Sequence, residues 1–93
     1  MLFMVIERFK NRAAKSIYER FHEHGRMQPE GLRYVGSWIE TNFDRCFQVM
    51  ECEDPSLFES WTTHWKDLMD FEIVPVMTSA EASSKALSSP HTG

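Results

Sequence analysis

The sequence predicts an α+β domain with elements in the order βαββαβ, in which two helices cover one face of a four-stranded antiparallel sheet. Three observations carry this prediction. Two stretches repeat apolar residues at helical spacing, four short runs are rich in β-branched and aromatic residues, and turn formers stand between them. The chain has 93 residues, 42% of them hydrophobic, which suits one domain.

Each element has its own signal. Leu2 to Ile6 is apolar at both parities, so residues 2–8 form a strand buried on both faces. Asn11 is placed to cap a helix over 12–24, where Ala13, Ala14, Ile17, Tyr18 and Phe21 make one stripe and Gly25 the stop. Pro29 and Gly31 mark 26–31 as a loop. Residues 32–40 and 45–52 form a hairpin of strands two and three around Thr41, Asn42 and Asp44. Asp54-Pro55 starts a second helix over 55–69, with Leu57, Phe58, Trp61, Trp65 and Leu68 as its stripe. Strand four is 71–77, and Pro75 within it belongs at an edge or where no donor is needed. The domain proper is 1–78. In the tail, 79–93, Thr78 and Glu81 fit a capping box for a short helix over 79–87, and residues beyond Ser88 are expected to be disordered.

This order is that of the ferredoxin-like split βαβ fold. Both helices then pack on one side of the sheet, and the other side stays open. Phe3 with Val5 and Phe47 with Val49 at one parity, and Met4 with Ile6 and Met50 with Ile73 at the other, are all apolar enough to want cover. A monomer would expose a sheet-sized apolar patch. A homodimer through the sheet faces removes it.

Charge and cysteine usage narrow the partners. The net charge is −4 with no basic block, which argues against nucleic acid. The apolar start is too short for a signal peptide or a membrane span. Cys46 and Cys52 on one strand stand roughly 20 Å apart at ~3.3 Å per residue, beyond the reach of a disulfide. Two unpaired thiols fit a reducing, cytoplasmic setting. No GxSxG, Gly-rich phosphate loop or zinc-type cysteine pair occurs, so no cofactor is expected.

The opening MLFMVIERFK, the segment GRMQPEGLRYVGSW (25–38), the strand DRCFQVMECEDP (44–55), the pair Trp61 and Trp65, and the strand FEIVPVMTSAEA (71–82) carry a resemblance. Over residues 1 to about 82 the chain resembles the dimeric α+β barrel superfamily. More narrowly, it is similar to a family of short bacterial proteins known as a domain of unknown function. The superfamily includes antibiotic-pathway monooxygenases, lactone isomerases, haem-degrading enzymes and simple ligand-binding dimers. The resemblance therefore implies a fold and a dimer, and leaves the activity open.

Candidate functional residues are few. Tyr18, Trp38, Trp61 and Trp65 are first of all core aromatics, and the four-residue spacing of Trp61 and Trp65 is what core packing requires. Their polar handles also suit an apolar ligand pocket between helices and sheet. Gln48 lies between Cys46 and Met50 on one strand face, where it must find a hydrogen bond in the protein or from a ligand. His64 borders the second helical stripe, either as an interface histidine or as a general base. Arg45 and Glu51, near the ends of strand three, read as rim salt bridges or as polar partners of a substrate. His22 and His24, two apart, do not share a helix face, and His91 lies in the tail, so no metal site is expected. Three functions remain. The first is a dimer binding a small, mostly apolar ligand near Tyr18, Trp38, Gln48, Trp61 and His64. The second is a cofactor-independent enzyme of monooxygenase or isomerase type, using His64, Glu51 or Arg45. The third is a structural or interaction dimer.

Overall fold

Seven elements follow the expected order: β1 (Leu2–Phe9), α1 (Ala14–His24), β2 (Arg33–Ile39), β3 (Arg45–Glu51), α2 (Leu57–Thr62), β4 (Met69–Val76) and α3 (Ser79–Ser88). The computed structural model describes residues 1–88. His91 and the expected disorder of the extreme tail lie outside them. The four strands form one sheet in the order β2-β3-β1-β4, every pairing antiparallel, which is the ferredoxin-like arrangement. Pro75 sits on β4, an edge strand, where its missing donor disturbs no inner ladder.

Register decides which residues share a face. Val5 stands opposite Gln48 on one side and Ile73 on the other, and Phe3 stands opposite Met50. Phe3, Val5 and Glu7 therefore join Cys46, Gln48 and Met50 on the helix side. Met4 and Ile6 join Phe47 and Val49 on the open side. The parity groups expected from sequence are thus mixed: Phe3 and Val5 share a face with Met50 and Ile73, and not with Phe47 and Val49. Counting by two within a strand says nothing of how neighbouring strands are offset.

The core lies between sheet and helices, built on Phe3, Val5, Leu32, Met50, Phe58, Trp61, Trp65 and Met69. Phe3 and Phe58 meet edge to face at 5.1 Å between ring centroids. Gly31 must be glycine, because its φ is +94° and a Cβ there would stand 3.1 Å from Leu57 Cδ1.

Several boundaries differ from expectation. Asn11 does not cap α1: Asn11 and Arg12 both adopt left-handed backbone, with φ of 48° and 57°, and the helix begins only at Ala14. The second helix is shorter than 55–69. After Thr62 the chain continues in tight turns, with Trp65 N donating to Thr62 O and Leu68 N to Trp65 O, each at 2.9 Å. Those turns still carry Trp65 inward. β4 starts earlier, at Met69, because Phe9 and Met69 extend the β1–β4 ladder. The capping box of α3 forms as expected: Glu81 N donates to Thr78 Oγ1 at 3.0 Å and Thr78 N to Glu81 Oε1 at 3.2 Å.

Candidate functional site

α1 is amphipathic, yet only Ile17 of its stripe is buried; Tyr18 and Phe21 are 43% and 40% exposed. The helix stands off the sheet, and the gap beneath it is a partly open cavity of about 250 Å³. Its floor is the helix side of β1, β3 and β2, with Glu7, Cys46, Gln48, Ser37 and Ile39. Trp61, Trp65 and Met69 form one wall, and Tyr18 and Phe21 stand at the mouth. Arg20 holds the roof in place. Its guanidinium makes two bonds of 2.8 Å to the Asp67 carboxylate and a third of 2.8 Å to the His64 carbonyl, tying α1 to the turns after α2.

Arg26, in the loop after α1, organises the polar half of the cavity. Its backbone carbonyl accepts from two indoles, Trp61 Nε1 at 3.0 Å and Trp65 Nε1 at 3.1 Å. Its guanidinium stacks on the Tyr34 ring at 3.6 Å. Its Nε donates to Gln48 Oε1 at 3.0 Å. The next residue, Met27, has a φ of +58°, a conformation costing a bulky residue roughly 1–2 kcal/mol. Those bonds hold the loop there.

Arg26 offers only donors, so Gln48 must turn its carbonyl oxygen toward it. The Gln48 amide nitrogen is then left buried without a partner, the one such side-chain atom among the described residues. Glu7 is 7% exposed and faces Cys46 directly across the β1–β3 pair. Burial pushes its carboxyl up to about 7, against the smaller opposing effects of the Cys46 thiol and the Arg26 charge. The Cys46 thiol is pushed up to about 12, first by burial and then by the Glu7 charge beside it. The Tyr18 phenol at the mouth is also raised, mainly by burial.

The sequence matches the DUF3303 family across residues 1–89. The chain belongs to the DUF3303 family, a domain of unknown function. No curated protein matches it.

This DUF3303 chain brings Tyr18, Gln48, Trp61 and Trp65 to the lining of the cavity. It does not bring Trp38 or His64. Trp38 pairs with Phe47 on the open side of the sheet and is 61% exposed, its ring lying over Gly36. The bulge between Tyr34 and Gly36 helps set that side. His64 is exposed on the turn after α2, where its backbone N donates to Trp61 O at 3.1 Å and its carbonyl accepts from Arg20. Arg45 also lies on the open side, with both ends of its fork on Glu40 at 3.0 and 2.8 Å. Glu51 pairs with Arg33 and borders a second hollow with Val35, Val76 and Lys85, away from the cavity.

The residues missed are Glu7, Arg26 and Cys46 as cavity groups. Glu7 did leave a trace, since it has the parity of Phe3 and Val5 in a strand otherwise apolar at that parity. Arg26 left none, because a loop residue's side chain goes where the tertiary structure sends it. Among the described residues no three His, Cys, Asp or Glu side chains stand close enough to hold a metal ion, and no helix is long and apolar enough to cross a membrane.

Proposed function

We propose that this chain is a cytoplasmic homodimer, built as a dimeric α+β barrel, in which each protomer holds one small, mostly apolar molecule in the cavity under α1. The observation that carries this reading is the cavity itself: apolar walls from Ile17, Trp61, Trp65 and Met69 around a buried, unpartnered amide donor on Gln48. Natural ligand sites combine an apolar lining with a few fixed polar groups. A buried donor without a partner is costly, and a ligand oxygen would satisfy it. An apolar cavity of about 150 Å³ holds benzene, so one of about 250 Å³ has room for a substituted ring. The ligand is thus ring-sized, with a carbonyl or similar acceptor.

The dimer is supported by the open face, where Trp38, Val35 and Val74 are exposed beside Met4, Ile6 and Phe47. It is also supported by α3, whose ten residues are all exposed; a helix so short is marginal without a packing partner. Two buried free cysteines suit a reducing compartment.

The test is a fluorescence and thermal-shift titration with ring-sized ketones, phenols and aromatic acids, since two tryptophans line the cavity. Ketones should quench the fluorescence and raise the melting temperature, and a cavity-filling Ser37→Phe should abolish both. No response across the panel, or an unchanged response in Ser37→Phe, overturns the reading. A second reading is favoured by one observation: a buried carboxyl, Glu7, stands in the cavity wall. A proton acceptor there suits a cofactor-independent enzyme of isomerase type.

A further inference from the structure

Two polar side chains, each more than nine-tenths buried, face the cavity from adjacent strands: Gln48 at 3% exposure and Glu7 at 7%. Gln48 is opposite Val5 and Glu7 is opposite Cys46, so the two are diagonal neighbours on one sheet face. Such neighbours stand roughly 7–8 Å apart, which leaves space for one functional group between them. The roles they can take are complementary. Gln48 has only donor capacity left, because Arg26 occupies its oxygen. Glu7 has acceptor capacity, and no cation bonds it; Arg26 acts on it from a distance while engaged with Gln48 and Tyr34.

We propose that Glu7 is the proton-transfer group of this cavity, acting on a ring-sized ketone whose oxygen is held by the Gln48 amide nitrogen. This rests on the ligand-binding reading and assigns its substrate class. The Glu7 carboxylate takes a proton from the carbon next to the carbonyl. The C–H pair becomes the C=C bond of an enolate, and the carbonyl π pair moves onto oxygen, where Gln48 Nε2–H donates to it. Glu7, now protonated, returns the proton to the same carbon or, in a β,γ-unsaturated ketone, to the carbon two bonds further on, as the dienolate's far C=C pair bonds the proton and the remaining double bond moves into conjugation with the re-formed carbonyl. Nothing is oxidised or reduced, and no co-reactant is consumed. Arg26, bonded to the Gln48 oxygen, polarises the amide toward the developing charge. A base works best when its pKa lies near the working pH, and burial brings Glu7 there, to about 7. The titratable and charged groups around Glu7 are Cys46 from β3, Arg26 from the loop and Tyr18 from α1. The α2 side contributes the uncharged Trp61 and Trp65.

The experiment is deuterium incorporation from D₂O into 2-tetralone, followed by proton NMR, with binding of the same ketone followed by tryptophan fluorescence. Wild type should exchange the positions next to the carbonyl at a rate that rises through about pH 7 and then levels. Glu7→Gln should still bind and lose about a hundredfold or more of that rate, the usual size of a general-base contribution. Glu7→Asp, which keeps the carboxyl, should stay slow yet retain a pH-dependent rise. Binding without exchange in wild type overturns the proton-transfer role and leaves the ligand reading standing. Equal exchange by wild type and either variant overturns it too. Failure of wild type to bind the ketone overturns the proposal together with the ring-sized-ketone reading beneath it.

Discussion

Gln48 accepts a hydrogen bond of 3.0 Å from Arg26 Nε through its amide oxygen, and so presents its buried amide nitrogen to the cavity with no partner. The bond fixes the amide's orientation, because a guanidinium cannot face another donor. Arg26 is itself immobilised, by two indoles on its carbonyl and the Tyr34 ring against its guanidinium. The donor offered to the cavity is therefore preorganised through a chain that runs from α2 through a loop to the central sheet.

Glu7 should govern stability near neutral pH. Its carboxyl is raised from 4.5 to about 7 in the folded chain. The folded state then binds the proton more tightly than the unfolded one, so stability is fully present below about pH 4.5 and falls as pH rises through about 7. The loss is on the order of 3 kcal/mol. Glu40, Asp54, Asp67 and Glu81, all held below the ordinary carboxylate range by hydrogen bonds, act in the opposite sense and only at lower pH. Urea denaturation between pH 5 and 8 should show the decline in wild type and a nearly flat profile in Glu7→Gln. A flat wild-type profile would exclude the buried, raised carboxyl.

Both thiols should be inert in the folded protein. Cys46 is 5% and Cys52 is 3% exposed, and burial raises the pKa of each. Only the thiolate is nucleophilic. Iodoacetamide at pH 8 should leave both unlabelled by mass spectrometry until urea is added. Labelling of Cys46 at the rate of a free thiol would show that the cavity floor is open.

Trp61 and Trp65 should act as a unit through Arg26. Trp65→Phe removes one of two donors from the Arg26 carbonyl and should cost about 1 kcal/mol beyond its lost volume. Replacing both tryptophans with phenylalanine should cost more than the sum of the single changes by about 1–3 kcal/mol, because the carbonyl is then left with no indole donor. A double-mutant cycle by urea denaturation measures the difference. Strict additivity would mean that the shared carbonyl does not couple them.

Trp38 should matter for assembly and not for the cavity. It is 61% exposed on the open face. Wild type should elute as a dimer in size-exclusion chromatography with light scattering. Trp38→Asp, acting twice in a two-fold interface at ~2 kcal/mol each, should weaken the dimer about a thousandfold. Ketone binding should survive in the monomer. A monomeric wild type would remove the dimer from the reading.

The element order, the single ferredoxin-like sheet, the edge position of Pro75, the Thr78–Glu81 capping box and the inward aromatics of α2 could all be read from the chain. Each rests on local chemistry: period, turn residues, a missing donor, a side chain three positions away. Of the residues lining the cavity, Tyr18 and Trp61 stand on helical apolar stripes that had to face the sheet, whereas Gln48 could be singled out only as a polar group in an apolar strand, its face left to register. Trp38 could not be placed, because a β-strand has two faces and only strand register, with the bulge at Tyr34 and Gly36, decides which one Trp38 occupies. His64 misled because the second helix stops at Thr62, so helical spacing no longer applies beyond it. Glu7, Cys46 and Arg26 come from a strand, a second strand 39 positions on and a loop, and their meeting is a long-range event that local pattern does not encode. The sequence alone determined which elements form and in what order. The tertiary structure alone decided which side chains meet, because α1 stands off the sheet and the strand register, not the parity count, sets what lies beneath it.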